Sequence, residues 1–255
     1  MFRITSIACA ALLPLLACAE ANTYSFIGAG VRTRPAYDGS SDRQTELIPA
    51  VRYFRGPLFV RSTEGLLEGG ARMQLMPGLA AGGQFAYEAG RQASSSDFLE
   101  RHKVPDVKRG ASIGLHLEWD QSVGPAPVTL LGRYRHNLDA EVGDQIDLRL
   151  TVGVYENGPF RAGVYGQGTW GDSKAANTYY GITAQQSADT GLPAYQAGSG
   201  WLNTGLGALW AFDVTPKWVA LGTLERRRVG GDAANSPLTE RRSANYFSLS
   251  LAYRL

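Results

Sequence analysis

The chain ends NYFSLSLAYRL, Asn245 to Leu255, and this stretch alternates without a break. Phe247, Leu249, Leu251, Tyr253 and Leu255 fall on one side of an extended strand, and Tyr246, Ser248, Ser250, Ala252 and Arg254 on the other. A period of two describes a strand with one apolar and one polar face. Chain ends usually fray, so an alternation that runs to the last residue needs a partner. In a closed barrel the last strand pairs with the first and no edge remains.

The same period recurs through the chain. It is clearest over Ile146–Tyr155, where Ile146, Leu148, Leu150, Val152 and Val154 alternate with polar or small residues. Ile113–Trp119, Leu67–Leu75, Phe160–Gln167 and Leu202–Asp213 repeat it, the last with Leu206, Ala208, Trp210 and Phe212 on the apolar face. Weaker segments lie at 24–32, 45–55, 57–63, 79–88, 127–136 and 217–228. With the C-terminal segment these make about twelve strands, and no stretch after the N-terminal segment is apolar for the 18 or so residues a spanning helix needs.

The gaps between segments alternate in length. Arg55-Gly56-Pro57, Met76-Pro77-Gly78, Asp120–Ala126, Glu156-Asn157-Gly158 and Val214-Thr215-Pro216 are short and carry Gly or Pro, as turns do. The intervening gaps, 33–44, 63–65, 89–109, 137–144, 171–200 and 229–244, are mostly long and polar. Short turns at one end and long loops at the other predict an all-β, closed antiparallel transmembrane barrel with periplasmic turns and outer loops. Tyr53, Tyr87, Trp119, Tyr134, Trp170, Trp201, Trp218 and Tyr253 sit near segment ends, where barrels place aromatic girdles. A soluble periplasmic sandwich would alternate in the same way, but it gives no reason for the gap pattern.

The start reads differently. Arg3 precedes an apolar run from Ile4 to about Ala19, followed by small residues at 17–21, which predicts a secretory signal over 1–21 and one barrel domain over 22–255. Cys9 and Cys18 both fall in this segment, so the mature chain has no disulfide. Leu15-Leu16-Ala17-Cys18 is the competing reading, a lipoprotein box.

The polar faces carry Glu68, Arg72, His116, Glu118, Arg133, Arg135, Asp147, Arg149 and Arg161. In a closed barrel these point inward, either as a charged constriction that filters solutes or as a salt-bridged plug. Arg226, Arg227, Arg228, Arg241 and Arg242 flank the last long gap and predict a basic outer rim suited to lipopolysaccharide phosphates. A solvated rim explains the same residues.

Catalytic and cofactor signals are weak. His116 lies four residues from Ser112 on one strand face, about 13 Å away, too far for a nucleophile and its base. The other histidines, His102 and His136, are isolated and the mature chain has no Cys, so no zinc pattern forms. Asp38–Asp42 lacks a calcium loop's spacing, and Gly28-Ala29-Gly30 lacks a third glycine and a helix. The expected chain is a non-enzyme without cofactor or metal. A net charge of +2 gives no bulk pull toward nucleic acid.

Three separated stretches carry a resemblance. Gly230–Leu238, with Gly231, Asp232, Ser236 and Pro237, resembles the C-terminal signature of the MipA/OmpV family of outer-membrane proteins. Tyr179–Thr183 with Gly191–Gly198, including Tyr180, Gly181 and Tyr195, is similar to that family's central pattern, and Pro35–Ser40, with Tyr37 and Gly39, to its first loop. The resemblance implies an outer-membrane barrel. It also implies a scaffold that links a lytic transglycosylase to a bifunctional penicillin-binding protein. Porin-like and adhesin-like members imply a channel or a surface adhesin instead. The motifs fall in the long loops, while murein partners would meet the short turns. The loops therefore either plug the barrel or serve a function that faces outward. Terminal strands of such barrels usually end in Phe, and Leu255 departs from that.

Overall fold

A computed structural model describes residues 25–63 and 66–255; the segment 1–21 read as a secretory signal and both cysteines lie outside the described residues. The strands are β1 Phe26–Pro35, β2 Arg43–Arg55, β3 Leu58–Thr63, β4 Leu66–Met76, β5 Leu79–Glu88 and β6 Gly110–Val123. They continue as β7 Ala126–Asn137, β8 Asp144–Asn157, β9 Phe160–Gly171, β10 Gly200–Asp213, β11 Trp218–Val229 and β12 Ser243–Arg254. Every neighbour in sequence is a neighbour in the sheet, and β12 closes on β1. The closing seam pairs Phe26 with Arg254 and runs antiparallel to Thr33 opposite Phe247.

The outer wall is where the large apolar side chains go. Leu47 is 83% exposed, Leu206 74% and Leu115 67%, and the outward members of β12 follow the same rule. In a soluble sandwich these side chains would form the core; on a closed barrel they face lipid, where every backbone group is already paired between strands. Trp218 and Tyr253 pack edge to face at 5.3 Å at the turn end, as part of an aromatic girdle. Gly56, Gly78, Gly124 and Gly158 take positive φ in the short turns.

The seam is tight. A Cβ on Gly28 would lie 2.1 Å from the Leu251 carbonyl oxygen, so only glycine lets β1 approach β12 here. Gly28→Val is expected to lower sharply the fraction of protein that runs as the compact, heat-modifiable band on gels. Wild-type recovery of that band would contradict the closure.

Three register shifts depart from the period-two reading, at Gln74/Met76, at Gly153/Tyr155, where Val154 and Tyr155 are both exposed, and at Trp201/Asn203. The last of them lies in the β9–β10 pairing. This bulge turns Leu202 inward, 5% exposed, beneath the loops instead of toward lipid. The long loops also contain structure that the alternation does not signal: α1 Asp97–Arg101, α2 Ser173–Tyr180 and α3 Ala184–Thr190. Each helix begins with a side-chain cap, from Ser96, Asp172 and Thr183 respectively.

Candidate functional site

The inward positions of β3 to β8 form one ion-pair network. Glu68 is buried and accepts from Arg61 Nε at 2.5 Å and from Arg133 Nη1 at 3.3 Å. Arg61 Nη1 also donates to Glu118 at 2.6 Å. Arg135 donates to Asp147 at 2.8 Å and to Glu88 at 2.6 Å, and Arg133 Nε lies 3.5 Å from Asp147. Arg61 with Glu118 and Arg133 with Glu68 each reach across two intervening strands, so the network crosses the lumen as well as lining it. Charges taken out of water stay ionised only when paired in this way.

Of the charges expected inside, Glu68, His116, Glu118, Arg133, Arg135 and Asp147 come together here. Arg72 is at their edge, 3.9 Å from Glu118 and stacked 4.1 Å over Phe54. Arg149, two residues beyond Asp147 on β8, turns instead toward β9, 3.8 Å over the Tyr165 ring and 3.0 Å from Gln167 Oε1. Arg161 is placed apart from both, at the turn end, where it and Arg254 converge on Asp213. His116 packs edge-on to Phe59 at 5.1 Å, while Ser112 donates to Glu88, so these two residues turn to different partners.

The long loops fold over the outer mouth as a cap, and the motif residues are its joints. Tyr37 donates to the Leu238 carbonyl at 2.9 Å, and Ser236 Oγ to the Tyr180 carbonyl at 2.6 Å. Tyr195 donates to the Asp232 carbonyl at 2.7 Å, while the Asp232 side chain accepts from Gly198 N at 2.8 Å. Gly181 terminates α2, Gly231 precedes a 3-10 turn, and Pro237 leads into the fully buried Leu238. At Gly39, φ is +107° and a Cβ would press on Thr239 at 3.1 Å. Two apolar clusters result, one around Tyr37, Leu99, Ile182 and Leu238, the other around Tyr180, Leu202, Val229 and Ala233.

Asp38 ties this cap to the barrel. Its carboxylate accepts from Asn203 at 3.1 Å, from Arg227 at 3.4 Å and from the Tyr246 hydroxyl. Arg227 therefore does not belong to the outer rim. The period of two turns it into the lumen between outward Arg226 and Arg228, where it also donates to Glu225 at 2.8 Å and lies 4.3 Å over Tyr246. Below the cap, Arg32, Arg149, Tyr165, Glu225, Arg227 and Tyr246 line a cavity of about 230 Å³.

The cap also holds tyrosines away from water. Burial pushes the Tyr179 hydroxyl up to about 12, and pushes Tyr180 well above its ordinary value. Burial, with Glu240 adding to it, does the same to Tyr37. Arg91 lies among them, donating to the Tyr179 carbonyl at 2.6 Å, and burial pulls its guanidinium down. A free tyrosine ionises near 10, so between pH 10 and about 12 the opened cap holds fewer protons than the closed one. The closed form is therefore fully favoured below pH 10 and loses stability as pH rises. The protection factor of the 172–199 loop, the hydroxide-catalysed rate of an open chain divided by the loop's own exchange rate, should fall over that range while the strands stay protected; an unchanged protection factor would contradict it.

Sequence reasoning missed Arg61, Glu88, Glu225 and Asp38. Arg61 sits on β3, a short strand whose alternation is faint, yet it shares the inward face with Phe59. Asp38 lies in a loop, where no period exists to orient a side chain.

A closed twelve-stranded antiparallel barrel, apolar outside and charged within, defines an outer-membrane β-barrel protein of a Gram-negative bacterium. Residues 27–255 match the family described as MltA-interacting protein MipA, and the chain belongs to that family. No curated protein matches the chain. Among solved structures, the NanC porin is 10% identical with a TM-score of 0.49, over 90% of this chain and 100% of that one. An outer-membrane channel from Pseudomonas putida F1 is 10% identical with a TM-score of 0.47, over 91% and 96%. OmpT of Vibrio cholerae is 7% identical with a TM-score of 0.42, over 91% and 96%.

Proposed function

We infer that the barrel is a non-enzymatic membrane anchor for the murein machinery, a scaffold that brings a lytic transglycosylase and a bifunctional penicillin-binding protein together at its periplasmic turns. Membership of a family described as MltA-interacting carries this reading. The paired lumen charges and the cap favour it, since they use the interior for internal contacts. The partner surface is then the short turns at Gly56, Gly78, Gly124, Gly158 and Val214–Lys217. Detergent-solubilised protein on a column should retain both enzyme types, and turns replaced by Gly-Ser segments should release them. Retention of neither enzyme by the intact protein overturns the proposal.

The 230 Å³ cavity favours a second reading, a solute channel. Stepwise conductance in planar bilayers, altered by Arg149→Ala or Glu118→Ala, would support it. A surface adhesin remains the third reading. It has less loop surface to use, because the motif side chains of the loops bond to one another.

A further inference from the structure

The outer rim is not uniform in charge on its membrane-facing side. Across β11, β12 and β2 one level carries Arg226, Asn245 and Arg43 on the exposed outer side, with buried Pro35 of β1 paired to Arg43 between them. Arg226 Nη1 donates to Asn245 Oδ1 at 3.1 Å, and Arg43 Nη2 to the Asn245 carbonyl at 3.0 Å. Asn245 thus tethers two guanidiniums from different strands beside each other. Arg228 follows one step outward on β11, and all three arginines are exposed. No Asp or Glu occupies an outward position on these four strands.

Directly beneath lies the apolar wall. Leu224 pairs with Phe247 one level down, and Val31 with Leu249 and Leu47 below that. The opposite side of the rim differs: His136 and Tyr134 on β7 both bond Asp144, so that sector carries its own carboxylate. The arginines therefore stand at one sector, at the height where lipid headgroups begin. A guanidinium fork matches a phosphate with two parallel hydrogen bonds.

We propose that Arg43, Arg226 and Arg228 bind the phosphates of lipopolysaccharide, the phosphorylated glycolipid of the outer leaflet, whose acyl chains lie along Leu224, Phe247, Val31 and Leu47. The site differs from the basic run read in the sequence: Arg227 leaves it for the lumen, and Arg43 joins it from β2. It does not depend on the scaffold reading.

The test uses the whole barrel in detergent, with purified lipopolysaccharide, the same glycolipid stripped of phosphate, and inorganic phosphate as probes. The wild type should bind the phosphorylated glycolipid at least about tenfold more tightly than the stripped one, a difference of about 1.4 kcal/mol. The triple variant Arg43→Gln, Arg226→Gln, Arg228→Gln should lose that preference. Arg55→Gln, changed at the outward turn end of β2, should keep it. Heat-modifiable gel mobility reports whether the triple variant is folded; if it is not, Arg226→Lys, which keeps the charge without the fork, should still weaken binding. Equal binding of the two glycolipids by the wild type, or an unchanged preference in the folded triple variant, overturns the site. Displacement of the glycolipid by equimolar inorganic phosphate overturns the assignment to lipid.

Discussion

Glu68→Ala is expected to cost the folded barrel about 3–5 kcal/mol, because it leaves buried Arg61 and Arg133 facing no carboxylate at that point. The residue itself has no exposed side-chain surface, so water cannot take over its role. Glu68→Gln keeps a hydrogen-bonding oxygen while dropping the charge, and should fall between alanine and wild type. Equilibrium unfolding in urea from lipid vesicles, followed by tryptophan fluorescence, reads the difference directly. An alanine variant within about 0.5 kcal/mol of wild type, the range of ordinary surface changes, would mean that the network adds nothing to stability.

Asp38→Ala should have the second large effect, on the cap and not on the strands. Three donors, from Asn203, Arg227 and Tyr246, converge on this carboxylate. Hydrogen bonds to charged groups contribute about 1.5–3 kcal/mol each, so even one lost contact changes the open population about tenfold. Limited proteolysis within 172–199 and 230–242 should quicken by at least about that factor, while the heat-modifiable barrel band persists. Unchanged cleavage would show that the cap holds without its latch. Loss of the barrel band would show that Asp38 supports the wall instead.

The barrel was legible because lipid imposes one rule on every strand. Alternation at Ile146–Tyr155 and Asn245–Leu255 needs no knowledge of partners, and the gap lengths fix which ends are turns. The lumen was legible for the same reason: a charge on the inward face of a clear strand, such as Glu68 or Asp147, has nowhere else to go. Pairing was less so. Arg61 with Glu118 spans strands that are not neighbours, and no periodicity reports a chord across the lumen. The cap was the least legible part. Its joints are hydroxyl-to-carbonyl bonds such as Tyr37 to Leu238, with partners about two hundred residues apart. The resemblance marked those residues without saying that they touch. Arg227 shows the error a charge run invites, since adjacent residues of a strand face opposite ways and three consecutive arginines cannot form one surface.

Crosslinking in intact cells tests the scaffold claim most directly. A photo-reactive side chain at Gly158, in the β8–β9 turn, is compared with one at Arg101, in α1 of the cap. The account predicts adducts with a lytic transglycosylase and a penicillin-binding protein from Gly158 and none from Arg101. Murein-enzyme adducts from Arg101 alone, or from neither position while the folded barrel is present in the outer membrane, would contradict it.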